Sequence, residues 1–228
     1  MTKYLIMILL FLFPTSWCRL LLIRSKKYRI MKGAKIGFSI LLIDRLYLSN
    51  KSIIGHCNLI NIPKFYSDGS IRCLNYFNGY FAMFLGRGAR INHSCKFSST
   101  AAKKNMSILK LGDYCNITVG HLFDMTDSIF IGNNSVLGGA GTQVWTHGFF
   151  VSRVSDRVLR HDGKVVIRNN VYVGSRCCIN CGITIDDGIS IGSQTCVSKS
   201  LAVQGLYVSQ PIRYVEYDSD EKIRKYSI

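Results

Sequence analysis

Three observations in the 228-residue sequence predict an all-β chain wound as a parallel β-helix. Aliphatic residues recur at every sixth position, from Ile167 through Val173, Ile179, Ile185 and Ile191 to Val197. Four positions after each stands a second apolar or small residue: Val171, Cys177, Ile183, Ile189, Thr195 and Leu201. Between them lie Gly, Asn and Asp, the residues that accept left-handed backbone at sharp corners. A period of six is too short for a helical repeat and out of step with the helix turn of about 3.6 residues. Each unit therefore reads as a short strand and a corner. Three units close a triangular coil, and coils stack at the roughly 4.8 Å spacing of hydrogen-bonded strands.

The chain opens with an apolar run, Tyr4 to Phe13, followed by Pro14 and a second patch, Leu20 to Ile23. A membrane-spanning helix needs roughly 20 apolar residues, and Pro14 and Arg19 interrupt this stretch. The sequence FPTSW that follows has no small-residue cleavage site of the kind that ends a secretory signal. The first acidic residue is Asp44, so every charge before it is positive: Lys3, Arg19, Arg24, Lys26, Lys27, Arg29, Lys32 and Lys35. An apolar helix lying in a membrane interface, with these cations meeting anionic headgroups, fits this pattern. The alternative is a helix that packs on the domain or on a neighbouring subunit. Residues 1–35 thus form a basic apolar segment, 36–205 the repeat domain and 206–228 a tail.

Within the domain the period is visible from Ile36 to Phe65, again from Leu85 and from Leu111, and then from Ile131. It slips near 66–84, 98–110 and 123–124, where insertions or irregular corners are expected. The two ends of such a prism need covers against edge pairing, which residues 1–30 and the tail can supply.

Composition narrows the function classes. With 18% charged and 48% hydrophobic residues the chain is too apolar to be disordered. A net charge of +16 calls for an anionic partner: nucleic acid, an acidic membrane surface or a phosphate-rich cofactor. Zinc-finger spacing, an RNP-type aromatic strand and a helix-turn-helix are all missing from the sequence, so nucleic acid is not the expected partner. Nine Cys, an odd number without a recognisable framework, read as reduced thiols in the cytoplasm. Cys177, Cys178 and Cys181 read as packing, because no second pair of zinc ligands accompanies them.

The repeat is broken between Thr142 and Lys164 by QVWTHGFFVSRVSDRVLRHDGK, a loop at 143–164 with His147 near its start. Loops projected from a rigid scaffold are where function tends to sit. Here the chain resembles the hexapeptide-repeat acyltransferases, in particular the sugar and polysaccharide O-acetyltransferases, with the likeness strongest over about 125–215. The resemblance implies a left-handed coil, against the usual right-handed crossover. It implies acetyl-CoA as donor, a sugar hydroxyl as acceptor, His147 as general base and no metal. Imidazole is the side chain that changes protonation near neutral pH, which suits the task.

Carried over residue by residue, the same likeness places Ser175, Ser193, Ser198, Lys199 and Arg213 against the cofactor. Trp145, His121 and His161 are the candidate acceptor contacts, while His56 and His93 are weaker candidates and a structural role for His121 is the stronger reading. Two departures stand out: Ala140 where relatives have an acceptor-side Asn, and Glu216 in place of a second basic residue. The family habit is a homotrimer with CoA between prisms. The expected setting is the cytoplasmic face of the membrane, where lipid-linked glycans are built. Two alternatives remain open in the sequence. One is a metal lyase of the γ-carbonic anhydrase kind using His121, His147 and His161, although the close His pair of that family is absent. The other is a non-catalytic β-helix scaffold.

Overall fold

The structure, a computed structural model, describes residues 3–13, 15–22, 25–99, 105–154 and 156–209. Its body is a parallel β-helix with three faces. The first face contributes one short strand per coil, nine in parallel from Lys35–Ile36 to Leu206–Tyr207. The second and third faces are continuous in the first two coils, because Ile40–Leu48 and Leu59–Ser67 each run through the corner between them. Pro63 sits at that bend without an N–H to give, and the pairing passes from Ile43↔Ile62 to Arg45↔Lys64 without an Asp44 rung. From the third coil onward the faces separate into strands such as Tyr76–Asn78 and Phe81–Leu85.

In-register parallel pairing sets like over like. The inward column of the second face reads Leu41, Ile60, Phe77, Phe97, Phe123, Val144, Ile179 and Val197, all buried. Its three phenylalanine rings stack with centroids 4.7 and 4.3 Å apart. Both positions of the six-residue pattern point inward, since Val171, Cys177, Ile183, Ile189 and Leu201 are as buried as the aliphatic series.

Where each coil turns from the first face into the second, an inner column is polar: Ser39, Asn58, Asn75, Cys95, His121, Thr142, Cys177 and Thr195. It satisfies backbone donors that the corner removes from the ladder. The Asn58 N–H donates to Ser39 Oγ at 3.0 Å, and the Asn75 and Cys95 N–H groups donate to the Asn carboxamide one coil below, each at 2.9 Å. Thr142 N–H donates to His121 Nδ1 at 3.1 Å, and Cys177 N–H to Thr142 Oγ1 at 3.2 Å. The residue before each of the six column members from Asn58 to Cys177 is left-handed, and several are not glycine: Leu74 has φ 65° and Arg176 φ 55°. The corner hydrogen bonds hold these residues in a conformation that composition alone would have reserved for Gly or Asn.

The period slip at 66–84 hides a regular coil, with strands Ser70–Ile71, Tyr76–Asn78 and Phe81–Leu85. The slip at 98–110 falls between the strands Lys96–Ser98 and Ser107–Leu111, and its residues 100–104 lie outside the described residues. The solenoid starts before Ile36, because Tyr28–Ile30 already pairs with Leu46–Leu48, and Leu206–Tyr207 still belongs to the first face. Helices α1 (Lys3–Leu12) and α2 (Thr15–Leu22) close the N-terminal end, with Ile6, Leu10, Cys18 and Leu22 buried against the first coil. No helix among the described residues is long and apolar enough to cross a membrane.

The 143–164 segment is not an irregular loop. Gln143–Val144 remains in the second face, and His147–Val151 pairs antiparallel with Val158–Asp162 to form a projecting arm before the chain rejoins the third face at Val165. All nine cysteines are free. Burial pushes the inward thiols of Cys95 and Cys115 up to about 11 and about 12, which keeps both protonated: Cys115 packs as a core hydrophobe, while Cys95 lies against the corner carbonyls of His93 and Thr118.

Candidate active site

His147 is the first residue of the arm, where the chain leaves the corner between the second and third faces. Directly below, one coil earlier, the strand Leu122–Asp124 ends at the same corner. Phe123 points into the core, so its neighbour Asp124 points out, beneath the arm. The Asp124 carboxylate is 2.7 Å from His147 Nδ1. An ionised carboxylate can only accept, so Nδ1 carries the proton and Nε2 presents its lone pair.

Asp124 is 5% exposed and surrounded by donors. Thr126 Oγ1 donates at 2.7 Å, Thr146 N–H at 2.9 Å and Thr146 Oγ1 lies at 2.8 Å. Burial raises its pKa, but the hydrogen bonds from His147, Thr126 and Thr146 outweigh burial and hold it below the ordinary carboxylate value. The aspartate is therefore a fixed anion that orients the imidazole. Trp145 and Phe149 meet the His147 ring edge-on, with centroids at 6.1 and 5.6 Å, and give the imidazole apolar walls. Trp145 Nε1–H is held by Gln143 Oε1 at 3.1 Å.

In the arm, cross-strand pairs alternate between its two faces. His147 pairs with Asp162 and Phe149 with Arg160, so these four share one face. Arg160 Nε–H donates to Asp162 Oδ1 at 2.7 Å, and its Nη2 is buried without a partner among the described residues. His161 pairs with Gly148, faces the other side and packs on Phe150 at 5.8 Å. His121 belongs to the buried corner column: Nδ1 accepts from Thr142 N–H, and Nε2 lies 3.0 Å from Thr118 Oγ1. Burial lowers its pKa, with backbone groups at Leu137 and Thr142 opposing. The three histidines of the metal-lyase alternative therefore do not converge. Among the described residues no group of three or more His, Cys, Asp or Glu side chains is placed to hold an ion.

The expected cofactor residues fall on two edges of the second face. Ser198 and Lys199 follow Val197 at the His147 corner, two coils beyond Val144, and both are exposed. Ser175 and Ser193 stack at the opposite edge, where Ser175 N–H donates to Ser193 Oγ at 3.3 Å. Arg213 and Glu216 lie outside the described residues. Ala140 lies beside that Ser175 edge, and the Arg176 N–H donates to its carbonyl. Sequence reasoning did not find Asp124, Thr146, Phe149 or Arg160. Asp124 did leave a trace, since it lies at the period slip of 123–124.

No family model and no curated protein matches the chain. Several solved structures are similar to it. One is a variant of AntD, an N-acyltransferase from Bacillus cereus, in complex with dTDP and coenzyme A. It has 18% identity over 78% of this chain and 89% of that chain, at a TM-score of 0.46. The polySia-specific acetyltransferase NeuO has 16% identity over 88% and 94%, at 0.48. A hexapeptide-repeat-containing acetyltransferase from Vibrio cholerae O1 biovar eltor, complexed with acetyl coenzyme A, has 14% identity over 92% and 82%, at 0.33.

Proposed function

We propose that the protein is an acyl-CoA-dependent O-acetyltransferase. It moves an acetyl group from acetyl-CoA to a hydroxyl of a sugar in a surface polysaccharide, such as an O-antigen, capsule or exopolysaccharide, or in its lipid-linked precursor. The observation that carries this reading is the His147–Asp124 pair at 2.7 Å, which leaves Nε2 free at a loop projected from a hexapeptide-repeat prism.

The step is direct. Nε2 accepts the hydroxyl proton as the sugar oxygen forms its bond to the thioester carbonyl, and Asp124 balances the imidazolium that forms. Backbone N–H groups hold the oxyanion, in the expected manner of acyl transfer. When the C–S bond breaks, the thiolate of CoA takes the proton back from Nε2, leaving acetyl ester, CoA thiol and neutral His147. Trp145 offers an apolar face to a sugar ring or to pantetheine. Lys199 and Arg213 serve the CoA phosphates, with Ser175, Ser193 and Ser198 as hydrogen-bonding partners of the cofactor. His161 serves the acceptor from the other face of the arm, and His121 is assigned a structural role in the corner column.

We assign the active form to a homotrimer, which lets Ser175 and Ser193 meet a cofactor bound between prisms even though they lie away from His147. Residues 1–35 place the enzyme against the cytoplasmic face of the membrane. The test is His147→Ala assayed with acetyl-CoA and purified glycan, reading the mass gain of one acetyl per acceptor. A loss of roughly 10²–10⁴ in kcat is expected. A variant as fast as the parent overturns the assignment of the base.

A further inference from the structure

The two N-terminal helices form an end cap whose outer side has no counterpart in the fold. Along α1, Ile6 and Leu10 are buried against the first coil, whereas Leu5, Ile8 and Leu12 are about half exposed or more. In α2, Cys18 and Leu22 are buried, and Trp17, Leu20 and Leu21 are each about 60% exposed. A groove of about 310 Å³ between α1 and the first coil is lined only by Met7, Ile8, Phe11, Leu12 and Ile40. Around this apolar end the chain places Lys26, Lys27, Arg29 and Lys35, all exposed, in the segment that starts the first coil. An apolar surface rimmed by cations is complementary to an anionic bilayer, and neither helix is long enough to enter and cross one.

We infer that this cap docks end-on to an anionic lipid bilayer and stands the β-helix upright on it. The inference rests on the reading of residues 1–35 as a membrane contact and adds an orientation. The cap packs on Ile40–Leu48 and on Tyr28–Ile30, the strand paired with its far end, so the membrane normal runs along the stacking direction of the coils. From that strand the path to the arm passes Leu59–Ser67, Tyr76–Asn78, Lys96–Ser98 and Leu122–Asp124 before reaching Gln143–Val144. These five steps amount to roughly 24 Å at the spacing of paired strands. A helix diameter of about 10 Å lies beneath them. His147 is thereby held some way above the headgroups, and its acceptor is a sugar several residues removed from any lipid, not the one joined to the lipid.

The full chain is tested by flotation with phosphatidylglycerol-containing and pure phosphatidylcholine vesicles. Binding to the anionic vesicles is expected, weakened roughly fivefold for each cation lost in Lys26→Gln and Lys27→Gln. It should be abolished by Leu12→Asp combined with Leu20→Asp. The sequence has two tryptophans, and brominated lipid should quench Trp17 in a Trp145→Phe chain while sparing Trp145 in a Trp17→Phe chain. Equal quenching of both overturns the upright orientation. No binding to anionic vesicles, or an end-to-end dimer abolished by the same Leu substitutions, overturns the membrane partner. The Leu double variant should keep full activity on a soluble oligosaccharide. Vesicle binding without transferase activity in the parent chain would refute the proposed reaction and leave the anchor standing.

Discussion

Asp124 and His147 are separated by 22 residues in the chain and by one coil in space, and their contact gives the imidazole its direction. Asn at position 124 can offer Nδ1 a donor in place of an acceptor, which moves the imidazole proton to Nε2 and removes the lone pair on which the proposed base depends. Asp124→Asn is therefore expected to cost roughly 10²–10⁴ in kcat, with KM for acetyl-CoA little changed, measured by steady-state kinetics on protein whose thermal unfolding is checked in parallel. The histidine was legible in the sequence because it opens the break in the repeat. Its aspartate was not, since coil lengths vary and no spacing rule states which earlier residue lies beneath the arm. The corner column supplies the converse lesson: His121 is a histidine in a functional neighbourhood by sequence, yet both of its nitrogens are used inside the wall.

At the scale of elements, the coils depend on large inward side chains and on close approach at the corners. The stacked rings of Phe77, Phe97 and Phe123 fill the prism beneath the site. Phe97→Ala should cost about 3–5 kcal/mol, read as a lower midpoint in denaturant titration with an unchanged slope. Gly139 has φ +66°, and a Cβ there would stand 1.7 Å from Ser175 Oγ. Gly139→Ala should thus displace the Ser175 edge and weaken acetyl-CoA binding along with stability, checked by calorimetric titration. Strand positions and inward faces followed from the six-residue period wherever it is unbroken, as from Ile167 to Leu201, while the arm did not: its alternating pattern is mostly exposed on both faces, so no core-facing register marks it as a hairpin.

For the whole molecule, two buried groups link stability to pH. His121 and Asp124 are both held below their ordinary values in the fold, so the unfolded chain binds more protons as pH falls. Their contributions are complete above the unfolded values and are lost on acidification. The His121 part begins to go as pH drops below about 6.5, and the Asp124 part below about 3.8. Melting temperature should therefore decline from pH 7.5 to 5.5, and His121→Gln should flatten that decline, measured by differential scanning calorimetry at constant ionic strength.

The amino-acid sequence by itself determined the prism, because a repeat of one strand and one corner has its inward positions, its stacking and its break written as a local period. It also determined that the N-terminal segment is apolar and basic, and it marked His147. Only the tertiary structure decided which residues stand over one another. Stacking joins positions that lie a variable number of residues apart, so the pairing of Asp124 with His147, the division of Ser175 and Ser193 from Ser198 and Lys199 between two edges, and the placing of the cap at one end all arise from register between coils, which no local pattern encodes.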